Sequence, residues 1–370
     1  LVWNSKEWKE NREEMDAIVN YLKNYEIADK DYRRTISLLY QKGKIRNESE
    51  REELEQTTTT SFFGDEGNLD FKVKIRIWQK EAAIHYLKNE TVLENIAIRN
   101  IIDIMDEHPN HKAENPFDYI SFYSHFLRTT KHLDRERYKK EFQNFLQFPR
   151  SVKHNRKRIE ARTYSLAYST ETVRLLEDGL FQEGIELKPT IANLNKQYGS
   201  LILRGTQMAF EYKNAYFHYA AGEHTLALKH INNVINDFHY KERPDVYRFA
   251  RIFAIIIHFE LGNQVLVPYL LRSIINFLKN RDLLYEAEQI IFECIRKLSR
   301  TRTKEKLKTL LLEYRSLLME LFERKPSEII IMEYFDFITW ADSKIHNCSF
   351  KEMKERNLSN GVLPIQDIKQ

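Results

Sequence analysis

The sequence predicts an all-α protein in which antiparallel helix hairpins repeat and stack into an α-solenoid, with a more irregular helical N-terminal region. The 370 residues include only 10 Gly and 8 Pro, so turns are few and helices are long. Charged residues make up 30% of the chain and alternate with apolar ones at helical spacing, which is typical of helices with one solvated face. An apolar pattern also recurs at intervals of about 40 residues in the second half, as helical repeats do.

Composition narrows the class of protein. The chain has 58 basic and 54 acidic residues and a net charge of +4, which does not by itself indicate a nucleic-acid partner. Two cysteines without a CxxC pair, Cys294 and Cys348, favour a reducing compartment over a disulfide scaffold. We find no apolar run of about 18 residues and no signal peptide, so we expect a soluble, cytoplasmic protein with no membrane segment.

The N-terminal part is predicted to be helical up to a linker. In segment 1–56, Trp8, Met15 and Leu22 belong to an apolar stripe at helical spacing that also contains Ile18 and Val19. A separate helix is predicted over 31–41, ending before Gly43. Residues 57–70 are rich in Thr, Ser and Gly and are predicted to form a linker or loop.

Residues 71–188 are predicted as an irregular helical region. The alternation from Phe71 to Ile77 also fits a strand, but its continuation is helical, so a helix is favoured. Pro116 is suited to the first turn of a helix, and Asp134 to an N-cap. A long helix over 155–181 is predicted to end in a turn through Gly184 and Pro189.

Residues 189–325 are predicted to hold the repeat, followed by a C-terminal helix and tail over 326–370. Segment 215–236 recurs at 255–276 with matching positions: His218 with His258, Tyr219 with Phe259, Gly222 with Gly262, Leu226 with Leu266, Ile231 with Leu271 and Asn236 with Asn276. A weaker third copy ends near Tyr314 and has Arg302 in place of the glycine. Glycine can adopt positive φ and so close a helix, and a hairpin that cannot bury both faces must stack on neighbours.

The first copy resembles the tetratricopeptide repeat (TPR), in which aromatic residues precede a Gly turn and Ala and a large apolar residue follow it. The residues that carry this resemblance are Tyr216, Phe217, Tyr219, Gly222, Ala227 and Ile231. Residues 191–298 also resemble uncharacterised bacterial TPR-like proteins. The spacing is about 40 rather than 34 residues, and the Trp and Pro of the repeat signature are missing. The resemblance implies a helical solenoid that binds a partner.

The functional prediction is a non-enzymatic protein- or peptide-binding scaffold that needs no cofactor or metal. We find no glycine-rich phosphate loop, GxSxG or HExxH motif. The residues predicted to line a concave partner-binding surface are Tyr212, Tyr216, Tyr219 and Arg251. One alternative is a regulator that changes curvature on sensing a peptide. Another is nucleic-acid binding through two basic clusters, represented by Arg156, Lys157, Arg158, Arg300, Arg302 and Lys304.

Several other polar residues could have either a functional or a purely structural role, and we favour the structural role for each. Asp103, Asp106, Glu107, His108 and His111 could ligate a metal or simply form a solvated helix end. His218 and His258 could contact a ligand or lie partly buried in the first helix of each hairpin, whereas His224 and His230 are predicted to lie on the surface. Cys294 is predicted to be a small core residue rather than a nucleophile.

Overall fold

The computed structural model describes residues 5–42, 45, 48–56, 62 and 69–360. This part of the chain forms eighteen α-helices and contains no strand, which confirms the all-α prediction. The strand alternative at Phe71 is wrong, because this residue begins a helix capped by the Asp70 side chain, which accepts from the Lys72 amide. The predicted linker at 57–70 lies outside the described residues except for positions 62, 69 and 70.

The chain divides into two compact units, 1–154 and 155–370, and the boundary falls inside the predicted region 71–188. The first unit contains α1 (Ser5–Lys42), α2 (Glu48–Glu55), α3 (Phe71–Leu87), α4 (Thr91–Glu107), α5 (Pro109–Glu114), α6 (Pro116–Leu133) and α7 (Arg135–Gln147). Helix α3 packs on α1 and α4, and α4 packs on α6. Helix α1 is continuous through position 31, so the separate helix predicted over 31–41 is part of it.

The second unit contains α8 (Arg156–Glu177), α9 (Phe181–Glu186), α10 (Lys188–Tyr198), α11 (Arg204–Ala220), α12 (His224–Asp237), α13 (Pro244–Glu260), α14 (Val267–Lys279), α15 (Glu286–Leu298), α16 (Lys304–Arg324), α17 (Phe337–Ile345) and α18 (Phe350–Ser359). A 3-10 helix, Pro326–Glu333, precedes α17. The turn predicted through Gly184 and Pro189 is wrong: Gly184 lies within α9, and Pro189 lies in the first turn of α10.

Several hairpin turns close in the same way. The residue that follows the helix C-cap adopts left-handed backbone geometry, with φ of 80° at Gly222 and 75° at Gly262. The next amide then donates to a carbonyl five residues earlier, over 2.8 Å from Glu223 to His218 and 3.0 Å from Asn263 to His258. This pattern is a Schellman closure, which favours glycine or asparagine. The predicted turns at both glycines are therefore confirmed.

The same closure also occurs outside the two good repeat copies. In the first unit, Asn89 has φ of 62° and the Glu90 amide donates to the His85 carbonyl over 2.8 Å. In the second unit, the turns after α8, α14 and α17 use Gly179, Asp282 and Asn347. The hairpin with this turn is therefore a common local unit of the chain, although the 40-residue spacing is not.

Successive helices from α11 to α16 pack on one another in chain order. The largest apolar core of the second unit runs through this series and continues into the residues after α16. Within the described ranges, no helix is both long and apolar enough to cross a membrane.

Candidate functional site

The three tyrosines predicted to bind a partner lie on one side of α11. Tyr212, Tyr216 and Tyr219 are spaced by four and three residues, which places them on the same helical face. Phe253 of α13 contacts all three rings, with centroid distances of 5.9, 5.7 and 5.2 Å respectively. We call these four residues the tyrosine face.

The tyrosine face is covered by the chain itself. We call residues 326–359, which follow α16, the C-terminal segment. Its Phe335 ring lies 5.2 Å from Tyr216, 5.3 Å from Tyr219 and 4.7 Å from Phe253. The tyrosines are only 2–7% exposed. The structure therefore places them in the core, not on an open surface, because the predicted C-terminal tail packs over them. Their role in partner binding stays a prediction.

Two tyrosine hydroxyls bond to the main chain of the C-terminal segment. The Tyr212 hydroxyl donates to the carbonyl of Tyr334 over 3.0 Å. The amide of Asp336 donates to the Tyr216 hydroxyl, also over 3.0 Å. Residues 335 and 336 lie between the 3-10 helix and α17 and belong to neither, so their polar backbone groups need partners from elsewhere. The tyrosine face therefore binds a non-helical stretch of main chain through hydrogen bonds to its peptide groups.

The two residues beside Phe335 add side-chain contacts. The Tyr334 ring stacks on Phe249 of α13 at 4.0 Å, and its hydroxyl donates to Asp245 over 2.9 Å. Asp336 caps α17 by accepting from Thr339, and it also accepts from the buried Lys354 ammonium over 2.9 Å. The Tyr334 side chain thus contacts α13, whereas the Asp336 carboxylate bonds within the C-terminal segment itself.

Glu260, at the end of α13, forms a second anchor for the C-terminal segment. Its side chain is 8% exposed, so its charge requires close partners. The carboxylate accepts from Tyr219 over 3.2 Å, from the Trp340 indole over 2.8 Å and from Lys344 over 2.6 Å. Two of these three donors belong to the C-terminal segment, so the anchor depends on its presence.

Burial keeps the three hydroxyl groups of the tyrosine face protonated. It raises the pKa of Tyr212 and Tyr216 far above the ordinary phenol value, and nearby acids raise it further. Burial also raises the pKa of Tyr219 well above the ordinary value, and the negative charge of Glu260 raises it further. These hydroxyls are therefore neutral across the physiological range and remain hydrogen-bonding groups.

The fourth predicted partner-binding residue lies elsewhere on α13. The Arg251 guanidinium donates to Ser273 over 2.8 Å and lies 5.0 Å from the Phe277 ring centroid. Both residues belong to α14. Arg251 is half-buried and does not join the three tyrosines in these contacts.

The predicted basic residues are exposed at two helix boundaries. Arg156, Lys157 and Arg158 begin α8, where Arg156 pairs with Glu160 over 3.0 Å. Arg300, Arg302 and Lys304 lie at the connection from α15 to α16. Each group is a solvated helix end, and its role in nucleic-acid binding stays a prediction.

A histidine pair that the sequence did not predict joins three helices of the second unit. The rings of His218 and His230 are parallel, with an interplanar angle of 5° and centroids 5.2 Å apart. His230 was predicted to lie on the surface, but its side chain is only 11% exposed. His218 lies four residues before Gly222 and His230 eight residues after it, so the two are not symmetric about the turn. The signal available in the sequence was only that both belong to one predicted hairpin.

Both imidazoles are bonded in the same way. The Nδ1 atom of His218 lies 2.5 Å from Glu223, and that of His230 lies 2.8 Å from Glu211. Both Nε2 atoms face the Lys188 ammonium, at 3.2 and 3.4 Å. Neutral imidazoles satisfy every contact, because Nδ1–H donates to a carboxylate while Nε2 accepts from lysine. This arrangement ties α10 to α11 and α12.

The other residues considered as metal ligands or nucleophiles have structural surroundings. Asp103 pairs with Arg99, and Asp106 pairs with Lys112 over 2.7 Å. Across the described ranges, no group of three or more acidic, His or Cys side chains is arranged to hold a metal. Cys294 and Cys348 are free thiols. Burial raises the pKa of the Cys294 thiol, which keeps it from acting as a thiolate.

The lowered pKa of Glu211 predicts how the stability of the protein depends on pH. Burial alone would raise its pKa, but the hydrogen bonds from His230 and Asn233, together with the positive charge of Lys188, outweigh burial and lower it. A lowered carboxyl pKa stabilises the fold above the ordinary pKa of glutamate, and that stability is lost as pH falls through the folded-state value. We expect Glu211→Gln to reduce the free energy of unfolding by roughly 1–2 kcal/mol at pH 7. The difference from wild type should shrink below about pH 4.5.

Urea unfolding between pH 7 and pH 3.5 would measure this effect. Glu183→Gln is the matched control, because Glu183 is an exposed glutamate on the neighbouring helix α9. An equal loss of stability for Glu211→Gln at both ends of the pH range would contradict the prediction.

Comparisons with protein-family models, curated proteins and solved structures give no match for this chain. The class that its own fold defines is an all-helical protein whose second unit buries an aromatic face under its C-terminal segment.

Proposed function

We propose that this protein is a non-enzymatic, TPR-like helical-repeat scaffold that binds an extended protein or peptide segment on the tyrosine face. Two hydrogen bonds carry the proposal: the Tyr212 hydroxyl donates to the Tyr334 carbonyl, and the Asp336 amide donates to the Tyr216 hydroxyl. Recognition of extended peptides commonly draws affinity from main-chain hydrogen bonds and specificity from side-chain pockets. The tyrosine face offers both.

The bound C-terminal segment indicates the chemistry that a partner needs. Phe335 fills the site between Tyr216, Tyr219 and Phe253, and Tyr334 stacks on Phe249. A partner segment would therefore carry two adjacent aromatic residues. The groups that bond the Asp336 carboxylate, Thr339 and Lys354, belong to the displaced segment, so the tyrosine face itself does not require an acid at the next position. The partner segment would bind by displacing the C-terminal segment of this chain.

The predicted alternative, a peptide-sensing regulator, uses the same exchange. A sensing role requires in addition that the exchange alter the packing of α11 and α13. Nucleic-acid binding would use instead the exposed basic residues of the two predicted clusters, Arg156, Lys157 and Arg158 at the start of α8, and Arg300, Arg302 and Lys304 before α16. A gel shift that weakens steeply with rising salt would favour it over peptide binding.

A fluorescent peptide with the sequence of residues 329–340 would test the proposal. We expect it to bind the full-length Phe335→Ala variant more tightly than wild type, because the variant holds its own segment less firmly. Adding Tyr212→Phe and Tyr216→Phe should weaken peptide binding about tenfold, since two hydrogen bonds to the main chain are lost. Fluorescence anisotropy measures both effects.

A scrambled peptide of the same composition is the control. If the native and scrambled peptides bind the Phe335→Ala variant equally, the tyrosine face does not recognise an extended segment and the proposal fails.

A further inference from the structure

The N-terminal turns of α1 extend beyond the body of the first unit. Every residue from position 8 to position 20 is exposed, whichever side of the helix it lies on. The buried residues of α1 begin only at Asn24 and continue as Ala28, Asp31, Thr35 and Leu38, in the part that packs on α3. We call residues 8–22 the arm.

The arm has a stripe of apolar side chains along one side of the helix. Each of these side chains is 39–61% exposed, and they belong to Trp8, Met15, Ile18, Val19 and Leu22. Positions 8, 15 and 22 are seven residues apart, and position 18 lies between the last two, which is the a and d spacing of a coiled-coil seam. A continuous exposed apolar surface of this kind marks a site of interaction.

The apolar stripe faces away from the body of the first unit. At 3.6 residues per turn, it lies about 180° around α1 from Asn24 and Ala28, which are buried. Further along the helix, the side that continues the stripe carries Glu26, Lys30 and Arg33, all of them exposed, as expected for a solvated face. Packing within the first unit therefore does not account for apolar residues on this side of the arm.

The charges of the arm favour a protein partner over a membrane surface. Two basic residues, Lys9 and Arg12, are outnumbered by four acidic ones, Glu10, Glu13, Glu14 and Asp16. A helix that lies on an anionic membrane is instead rich in Lys and Arg on its polar face. Heptad spacing flanked by charges of both signs is typical of a helix that pairs with another helix.

A second copy of the chain supplies a matching helix. Two arms side by side would bury ten apolar side chains at about 100 Å² each, on the order of 1,000 Å² in total. This area is at the lower limit for a specific interface, so we expect the pairing to be reversible. A two-fold axis between the arms would cover both stripes at once, because each stripe is the partner of the other.

We propose that two copies of this protein associate through their arms, with the apolar stripe of each α1 packed on that of the other. The interface uses none of the tyrosine face, so peptide binding and self-association can fail separately.

Sedimentation equilibrium of the full chain, from about 1 to 100 μM, tests the proposal, and we expect a monomer–dimer equilibrium with a micromolar Kd. Met15→Glu combined with Ile18→Glu should raise this Kd at least about a hundredfold, because the interface would then bury unpaired charges. Both positions are exposed in the single chain and glutamate is a good helix former, so the thermal midpoint of the monomer should not fall.

Ala17→Glu combined with Asn20→Glu is the matched control. Both residues are exposed on the other side of the same arm, and the change adds the same two negative charges. We expect its Kd to stay within about threefold of the wild-type value, since exposed charges interact weakly. The proposal is overturned if the wild-type chain stays monomeric at 100 μM, or if Met15→Glu with Ile18→Glu leaves the dimer intact. It is also overturned if the control variant dissociates the dimer as fully.

Discussion

Gly184→Ala is expected to destabilise the second unit by about 3 kcal/mol or more, which is at or above the upper end of typical overpacking costs. A Cβ atom at this position would lie 2.0, 2.3 and 2.4 Å from three ring atoms of Phe217. Phe217 is 1% exposed and belongs to the main core, so its ring has no free space into which to move. The glycine lets α9 approach α11 closely.

Gly199→Ala is the matched control for this prediction. Gly199 lies in the same unit, at the end of α10, but a Cβ there meets nothing within 4 Å, and its φ of −49° suits any residue. We expect Gly199→Ala to change the free energy of unfolding by no more than about 0.5 kcal/mol. Urea unfolding followed by far-UV circular dichroism measures both variants. If they were equally stable, close helix contact would not be the reason for glycine at position 184.

Phe335→Ala is expected to lower the free energy of unfolding by about 3–5 kcal/mol, as for other fully buried phenylalanines. The ring is 1% exposed and lies within 5.6 Å of Tyr216, Tyr219, Phe253, Phe337 and Phe350, measured between centroids. Removing it leaves a cavity between the tyrosine face and the C-terminal segment. Hydrogen exchange should therefore accelerate first at the amide of Asp336, which donates to Tyr216.

Phe117→Ala controls for the loss of a phenyl ring as such, because Phe117 is 40% exposed. We expect it to cost well under half as much, since less apolar area leaves the core. The prediction fails if Phe335→Ala unfolds at the same urea concentration as wild type, or if exchange at Asp336 does not change.

Local physics allowed most helices to be predicted from the sequence. Pro116 and Asp134 begin helices because one has a preset φ and the other accepts from the Arg137 amide. Gly222 and Gly262 close hairpins because positive φ costs glycine little. These determinants act within about one helical turn, so they are readable in the chain itself.

Contacts between distant residues decided the rest. Tyr216 and Asp336 are 120 positions apart, and neither has a local feature that pairs it with the other. The spacing of Tyr212, Tyr216 and Tyr219 predicted a shared face, but a buried face and a binding face require the same aromatic residues. Whether that face is open depends on what packs against it, and periodicity carries no information about this.

Gly184 and His230 show the same limit. A glycine at this place in the sequence predicts a turn. Gly184 instead makes room for the ring of Phe217, which lies 33 positions later in the chain. His230 has both polar and apolar neighbours in the sequence, so only the packing of α11, which brings His218 against it, shows that it is buried. The sequence by itself thus determined that the chain is helical and where its glycine hairpins turn, because backbone geometry is a local property. Only the tertiary structure decided which faces are buried and that the tyrosine face is occupied, because burial depends on chain segments far apart in sequence.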